Sequence, residues 1–299
     1  AGIRVIMDVV FNHTAMLHGS NFERTVPGYF YRTTSDGQTG DASGCGNETA
    51  SERPMMRKFM IESVCYWAKE YHIDGFRFDL MGIHDVETMK AIRKALDAID
   101  PTIYILGEGW TAGKAQLPDS LLAMKKNVYQ MPGVAAFSDE FRDGLRGPFG
   151  DDAKGGFIVG RPHFEADVRY GIVGGISHPQ LTGDSIASSV AVWANSPMQF
   201  ISYVSCHDDL CLFDRFRKTV PGASVKELYA WQKLAETAVL TSQGVPFIYS
   251  GDEILRSKFG VANSYNSGDS INAINWGLKT IHREVFDYVK GLIAMRKVH

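Results

Sequence analysis

The sequence has little of what would assign it quickly to several classes of protein. Its four cysteines, Cys45, Cys65, Cys206 and Cys211, fall in no pairing or metal-ligand spacing, which argues against a disulfide framework or a zinc site. Lysine and arginine (31) do not outnumber aspartate and glutamate (34), so no basic excess points to a nucleic-acid partner. No apolar run is long enough to cross a bilayer, so no membrane partner is expected.

Two further absences bear on compartment and completeness. Unpaired thiols favour a reducing, cytoplasmic compartment slightly over a secreted one, which leaves localisation open. No secretory signal opens the chain, but Ala1 falls inside an expected strand, so we expect the natural N-terminus to be missing. What is present, 299 residues of which 44% are hydrophobic, suffices for a large buried core within one domain, residues 1–299.

Strand and helix patterns alternate along the first part of the chain. Ile3–Val10 is a near-continuous apolar run, typical of a strand buried on both faces. A polar, glycine-rich loop is expected over 14–53, then a helix from Pro54 to Tyr71 with one apolar face. Further elements follow in the order strand, helix and strand: Ile73–Asp79, a helix capped by Asp85 and running to Ile99, and Ile103–Gly107. This alternation predicts βαβ units and a parallel sheet.

The second half of the chain has weaker patterns. Three more strands are expected, at Val134–Phe137, Gln199–Cys206 and Val245–Ser250. Helices are expected from Val225 to Ser242, with Gly244 as its C-cap residue, and from about His282 to the end. Residues 139–195 show no regular pattern. Six strands do not close an eight-stranded barrel.

Polar residues follow four of these strands directly. They are Asp8, Asn12 and His13; Arg77 and Asp79; Glu108 and Trp110; and His207 and Asp208. In parallel barrels, ligands bind at the carboxyl ends of the strands, so these residues predict a shared site.

Alternation along the second strand places Arg77 and Asp79 on one face and Phe76 and Phe78 on the other. A buried arginine would keep Asp79 ionised and oriented, as a carboxylate nucleophile requires. A purely structural ion pair is the alternative. Glu108 lies between two glycines and beside Trp110, whose apolar ring would raise a carboxyl pKa and suit a general acid; a solvent-facing loop glutamate is the alternative.

The two acids together fit glycoside cleavage, which needs a carboxylate nucleophile and a protonated acid, ~5–5.5 Å apart in retaining enzymes. His207-Asp208-Asp209 adds a third acid that could stabilise positive charge or bind sugar hydroxyls. Strand alternation predicts His207 on the side of Tyr203 and Ser205, with Asp208 opposite.

Four segments resemble the signature motifs of the α-amylase superfamily, glycoside hydrolase family 13, in the order of that family. They are residues 8–13 (Asp-Val-Val-Phe-Asn-His), 75–79 (Gly-Phe-Arg-Phe-Asp), 107–110 (Gly-Glu-Gly-Trp) and 203–208 (Tyr-Val-Ser-Cys-His-Asp). Segments 44–53, 79–85 and 263–272 narrow the resemblance to type I pullulanases. The resemblance covers nearly the whole chain.

The resemblance implies an α/β fold, a (β/α)8 TIM barrel that starts here at its third strand, and a retaining hydrolase of α-1,6 branch points in pullulan, amylopectin or limit dextrins. It implies roles for three acids: Asp79 as nucleophile, Glu108 as acid/base and Asp208 as transition-state stabiliser. The substrate-binding residues that it implies are Asp8, His13, Arg77, Trp110, His207, Asn263, Tyr265 and Asn266. The expected partner is an α-glucan such as starch or glycogen.

The chain departs from the family in several places. We expect the first two barrel strands and the flanking β-sandwich domains of the family to lie outside residues 1–299. Asp209 stands where asparagine is more usual and would raise a carboxyl pKa beside Asp208. Phe213 stands where tryptophan is more usual, which we expect to change packing only. A barrel lacking two strands has open edges, so the isolated piece 1–299 is expected to fold poorly.

Three alternatives remain open from sequence alone. Isoamylase or a glycogen-debranching enzyme would share the chemistry, an α-1,4-cleaving amylase would differ in linkage, and a non-catalytic carbohydrate-binding relative would lack the reaction. The chemistry needs no cofactor, although some relatives bind structural calcium near Asn12; no oxygen cage is evident. Oligomeric state cannot be read from the sequence.

Overall fold

The computed structural model describes residues 2–181 and 192–299. Contacts divide the chain into two compact units. The first unit comprises Ala1–Phe137 and Trp193–Gln199, and the second comprises Ser138–Val192 and Phe200–His299. That residues 1–299 form one catalytic domain therefore stays a prediction.

The first unit holds four parallel strands in chain order, with helices between the first three. The strands are β1 (Ile6–Val9), β2 (Gly75–Phe78), β3 (Tyr104–Gly107) and β4 (Val134–Phe137). β1 pairs with β2, β2 with β3 and β3 with β4, all in parallel. The register sets Asp8 opposite Arg77 and Phe78 opposite Gly107. This register brings the polar residues that follow β1, β2 and β3 to one edge of the sheet.

Three helices lie in the first unit: α1 (Asn21–Thr25), α2 (Pro54–Tyr71) and α3 (Val86–Asp97). α2 begins at Pro54, as predicted, and buries Met56, Met60, Val64 and Ala68. Tyr71 of the predicted apolar face is instead exposed. The Asp85 side chain accepts a hydrogen bond from the Thr88 N–H, which confirms the predicted cap of α3.

The second unit contains the parallel pair β5 (Phe200–Ser202) and β6 (Val245–Pro246). Its longer helices are α4 (Asp139–Arg146), α5 (Glu165–Ile172), α6 (Leu212–Thr219), α7 (Val225–Thr241) and α10 (Arg283–Arg296), with short helices α8 (Asp269–Asn272) and α9 (Leu278–Ile281). Leu240, Leu255, Val285 and Val289 form a core cluster on which Phe213 packs. The residue expected to change packing thus lies in a packing position.

The α/β class is confirmed: the described residues contain six strands, each parallel to its paired neighbour. Several element predictions were wrong. The strand predicted over Ile3–Val10 begins only at Ile6, and β1 is not buried on both faces, since Ile6 is 47% exposed. β5 and β6 stop well before Cys206 and Ser250.

Residues 139–195 are not uniformly irregular, because α4 and α5 lie within them; 182–191 fall outside the described residues. The expected loop 14–53 contains α1 and an antiparallel bridge between Tyr31 and Thr49. Gly244 is not the C-cap of α7, which is Ser242. A Cβ at Gly244 would lie 2.4 Å from Ser202 Oγ, so this glycine permits the close approach of β5 and β6.

In the described part of the chain, no helix combines the length and apolar character needed to cross a membrane. The four cysteines are free thiols.

Candidate active site

The first unit gathers three carboxylates around one arginine. The Arg77 guanidinium donates through Nη1 to Asp8 Oδ1 at 2.9 Å and to Asp79 Oδ1 at 2.8 Å. Its Nη2 lies 2.9 Å from Glu108 Oε1. Burial lowers the pKa of Arg77. The negative charges of Glu108, Asp8 and Asp79 together raise it by more, so the net shift of the pKa is upward. The guanidinium is therefore a permanent positive charge among three acids.

The strand alternation predicted from sequence explains this grouping. Phe76 and Phe78 are fully buried, while Arg77 and Asp79 point together to the polar edge, where Arg77 contacts Asp79. The prediction that these two side chains share a face is confirmed.

Asn12 fixes the other oxygen of Asp79. Its buried side-chain amide donates from Nδ2 to Asp79 Oδ2 at 2.9 Å and to the Asp79 carbonyl at 2.8 Å. His13 Nδ1 lies 2.6 Å from Asn12 Oδ1. Asp79 is thus held by Arg77 on one oxygen and Asn12 on the other. The sequence indicated Asn12 only as one of the polar residues that follow the first strand. No sequence pattern predicted its hydrogen bond to Asp79.

Glu108 is buried at the end of β3. Besides Arg77, its carboxylate accepts a hydrogen bond from the Leu80 N–H at Oε2, 2.8 Å. Arg77 and the Leu80 N–H each donate to this carboxylate, which suits an ionised form better than the protonated acid that the neighbouring Trp110 had suggested. The Glu108 carbonyl also accepts from Gly82 N–H at 2.9 Å, so the loops that follow β2 and β3 are joined at this point.

Trp110 is partly buried. Its backbone runs so close to Gly82 that a Cβ there would lie 2.5–2.7 Å from the Trp110 main chain. The backbone that carries the Trp110 indole is therefore packed closely against the loop that follows β2.

The second unit places a second group of predicted residues around one cavity of about 180 Å³. The cavity is lined by His207, Asp208, Tyr249, Ala262, Asn263, Ser264, Tyr265 and Asn272. Asn266 is exposed and is not among the lining residues. His207 and Asp208 line the same cavity, so the prediction that they alternate was wrong. β5 ends at Ser202, and strand alternation does not extend past that residue.

The cavity wall after β6 is tied together by side chains that the sequence did not reveal. Arg256 donates to the carbonyls of Ser250 and Asn272 and lies over the Tyr249 ring, 4.8 Å from its centroid. The Asn272 amide donates to the carbonyls of Ser264 and Ser267. These bonds keep Tyr249, Ser264 and Asn272 on one rigid wall.

Asp209 has a buried charged partner that the sequence did not reveal. Its carboxylate, 8% exposed, accepts from Arg146 Nη2 at 2.9 Å, whereas the Asp208 side chain is 63% exposed. A buried arginine therefore offsets the additional negative charge, which is not left facing Asp208. Asp209 also has φ 66°, a conformation that aspartate tolerates better than most residues.

Within residues 2–181 and 192–299, no group of three or more His, Cys, Asp or Glu side chains is placed to hold a metal ion. The expectation of possible calcium near Asn12 stays untested. The Asn12 side chain contacts Asp79 and His13, and its carbonyl accepts a hydrogen bond from the Thr49 N–H at 2.9 Å.

Known proteins provide the comparison that assigns the family. The pullulanase of Bacillus subtilis (strain 168) is 40% identical over 298 residues, which cover 100% of this chain and 40% of that protein. Pullulanase 1, chloroplastic, of Arabidopsis thaliana is 33% identical, over 93% of this chain and 34% of the relative. No protein-family model matches the sequence.

The crystal structure of pullulanase from Paenibacillus barengoltzii, in complex with maltohexaose and α-cyclodextrin, superposes with a TM-score of 0.92 at 44% identity. It matches 100% of this chain, which covers 45% of that structure. The chain belongs to the pullulanase family. It spans less than half the length of the pullulanases compared here, and the resemblance inferred from the four motifs is confirmed.

Proposed function

We propose that the protein containing this chain is a retaining glycoside hydrolase that cleaves α-1,6-glucosidic branch linkages in pullulan, amylopectin or limit dextrins. The observation that carries the proposal is the pair of acids on Arg77, with Asp79 on Nη1 and Glu108 on Nη2. Bonds to one guanidinium are compatible with the ~5–5.5 Å separation of retaining enzymes. Similarity to pullulanases over the whole chain supports the same activity.

Asp79 is proposed as the nucleophile. Arg77 and Asn12 hold its two oxygens, which favours an ionised, oriented carboxylate. Asp79 attacks the anomeric carbon as the bond from that carbon to the O6 of the branch glucose breaks, giving a covalent glycosyl ester. Water then attacks the same carbon and releases Asp79, so the configuration is retained.

Glu108 is proposed as the acid/base. It gives its proton to the departing O6 and later takes one from the attacking water. The first step requires the protonated form, whereas Arg77 and the Leu80 N–H both donate to Glu108. We therefore infer that substrate in place weakens the Arg77–Glu108 contact as the leaving oxygen becomes the new partner of Glu108.

Asp208 is proposed as the third acid, opposing the positive charge of the oxocarbenium-like transition state. Asp8, His13, Arg77 and His207 would bind the attacked sugar and Trp110 would stack on a neighbouring glucose. Asn263, Tyr265 and Asn266 would contact the glucan, with the first two lining the cavity of the second unit. No step here requires a metal or other cofactor.

The experiment is hydrolysis of pullulan by the full-length protein, with products separated and their linkages assigned. Maltotriose is expected, since cleavage of every α-1,6 bond leaves that unit. Asp79→Asn should lower the rate by about 10³-fold or more, because the nucleophile is lost. Asp97→Asn, a half-exposed aspartate on α3 paired with Arg93, is the matched control and should keep the parent rate.

Other products would redirect the proposal. Panose, or other products that keep the α-1,6 bond, would assign an α-1,4-cleaving activity. No products from pullulan, amylopectin or amylose would favour a carbohydrate-binding protein.

A further inference from the structure

The cavity of the second unit has walls from distant parts of the chain. His207 and Asp208 belong to the turn after β5, and Ala262, Asn263, Ser264 and Tyr265 belong to a loop after β6. A ligand that touches both walls depends on the spacing between them, so the contacts that set this spacing matter for binding.

One buried lysine joins the two walls. Lys258 Nζ donates to the His207 carbonyl and to the Ala262 carbonyl, each at 3.1 Å. The Lys258 residue has 0% exposure. Within the described part of the chain, its ammonium forms no ion pair with a carboxylate. Its charge is therefore directed at two neutral carbonyls, one on each wall.

Asp214 of α6 orients the turn that carries this lysine. Its Oδ2 accepts from the backbone N–H of Lys258 at 2.7 Å and of Gly260 at 3.2 Å, and its Oδ1 accepts from Ser257 Oγ at 2.6 Å. Asp214 is itself 5% exposed. The start of the lysine side chain is thus fixed to a helix, and its end is fixed to both walls.

A buried ammonium group is less favourable than an apolar side chain if its role is only to fill space in the core. Removing such a charge from water costs several kcal/mol, and an apolar side chain of similar volume often stabilises a protein as well or better. What an apolar side chain cannot do is hold two carbonyl oxygens at a fixed separation. The chemistry of Lys258 therefore fits a geometric role better than a packing role.

We propose that Lys258, oriented by Asp214, is a positioning residue that sets the distance between the His207–Asp208 turn and the Asn263–Tyr265 loop for binding of the α-glucan. This inference rests on the proposed function, which supplies the glucan as ligand. Among residues 2–181 and 192–299, the hydrogen bonds of the Lys258 ammonium run to backbone carbonyls, so its effect on the sugar passes through the two walls.

The test compares Lys258→Met with Lys258→Arg in the full-length protein, on pullulan, at a temperature far below the Tm of each variant. Methionine is unbranched and one atom shorter than lysine, and it loses the donors, so we expect KM to rise by about tenfold or more, because small misplacements of binding groups have effects of this size. Lys258→Arg keeps charge and donors and should recover part of the loss. Lys233→Met is the matched control, since Lys233 pairs with Glu284 of α10 and lies over the Tyr288 ring, and neither of these residues lines the cavity.

Asp214→Asn is the second variant, and it remains informative if Lys258→Met does not fold. It keeps the shape but removes the charge that gathers three donors, so KM should rise in the same direction by a smaller factor. A parent-like KM in every folded variant of Lys258 and Asp214 would overturn the proposal.

Deuterium uptake separates this role from general stability and from the proposed function. Uptake in both 206–209 and 262–266 should increase in Lys258→Met, without a matching increase elsewhere. Unchanged uptake in these segments, or an increase spread over the whole chain, would overturn the proposal. If the parent does not hydrolyse pullulan, the proposed function fails, and uptake alone then decides the role of Lys258.

Discussion

Arg77 decides how three acidic side chains can lie together at the carboxyl edge of the sheet. Asp8, Asp79 and Glu108 would repel one another strongly in this partly buried region. One guanidinium with two terminal nitrogens gives each of them a partner between 2.8 and 2.9 Å. Arg77 therefore reduces the repulsion among the three carboxylates. The same contacts also fix the orientation of the two proposed catalytic acids.

Asp252 is a buried carboxyl whose titration should be visible in stability. Burial raises its pKa to about 7, against a hydrogen bond from Ser205 that lowers it. The folded state then binds a proton that the unfolded state has lost, between about pH 4 and about pH 7. Its stabilising contribution is complete below the unfolded pKa and is lost as the pH rises to 7.

Asp252→Asn cannot ionise, so it should escape this loss. We expect the free energy of unfolding of the variant, relative to the parent, to increase steadily from pH 4 to pH 7 and then level off. Urea denaturation at each pH gives this difference, with the exposed Asp269→Asn as control. A difference that stays constant with pH, or falls, would show that Asp252 is ionised throughout.

For individual residues, the sequence predicted the members of the motifs but not the residues that hold them in place by hydrogen bonds. Arg77 lies on β2 and Asp79 directly follows that strand, two positions later, so the alternation of strand side chains was enough to predict that they lie together. Asn12 and Asp79 are 67 positions apart, and Lys258 and His207 are 51 apart. Contacts of that kind depend on the folded chain, and no local pattern marks them.

The loops that follow the strands carry the residues of the site, so their packing against one another determines where these residues lie. Gly82, in the turn that follows β2, faces the Trp110 backbone so closely that a Cβ would lie 2.5 Å from the Trp110 carbonyl oxygen. Backbone cannot rotate aside as a side chain can. We expect Gly82→Ala to lower the free energy of unfolding by ~1–3 kcal/mol through overpacking and to reduce kcat/KM by displacing Trp110.

Gly291→Ala is the contrasting variant for that measurement. Gly291 lies inside α10, and nothing lies within 4 Å of a Cβ there. Alanine should therefore stabilise the helix by ~0.5–1 kcal/mol. Denaturation curves of the two variants should shift in opposite directions. Equal stability of Gly82→Ala and the parent would mean that the Trp110 loop is not held where the structure places it.

Helices and strands were predicted correctly where a local sequence pattern marks their ends. They were predicted wrongly where no such pattern marks the end. Val134–Phe137 is a strand at the predicted bounds, and α3 starts at its predicted cap. β5 ends after three residues, at Ser202, and the chain bends at Val204, although residues 203–205 stay buried. Burial without strand geometry cannot be distinguished from a strand by hydrophobicity.

At the scale of the whole molecule, exposed apolar residues in β1 and directly after it explain why we expect the isolated piece 1–299 to fold poorly. Ile6 is 47% exposed and Val10 is 53% exposed, beside a strand edge that pairs only with β2 among the described residues. Such an edge invites association with other chains. We expect the isolated piece 1–299 to aggregate and to melt without cooperativity, measured by gel filtration and circular dichroism. A monomer with a cooperative melt and full activity would contradict this.

The anomeric configuration of the first product tests the central claim most directly. Pullulan hydrolysed by the full-length protein in an NMR tube shows the newly formed reducing end before it mutarotates. If Asp79 is a nucleophile and Glu108 the acid/base, two displacements leave the α anomer as the initial maltotriose signal. An initial β anomer would mean a single displacement by water, and it would contradict the roles assigned to both acids.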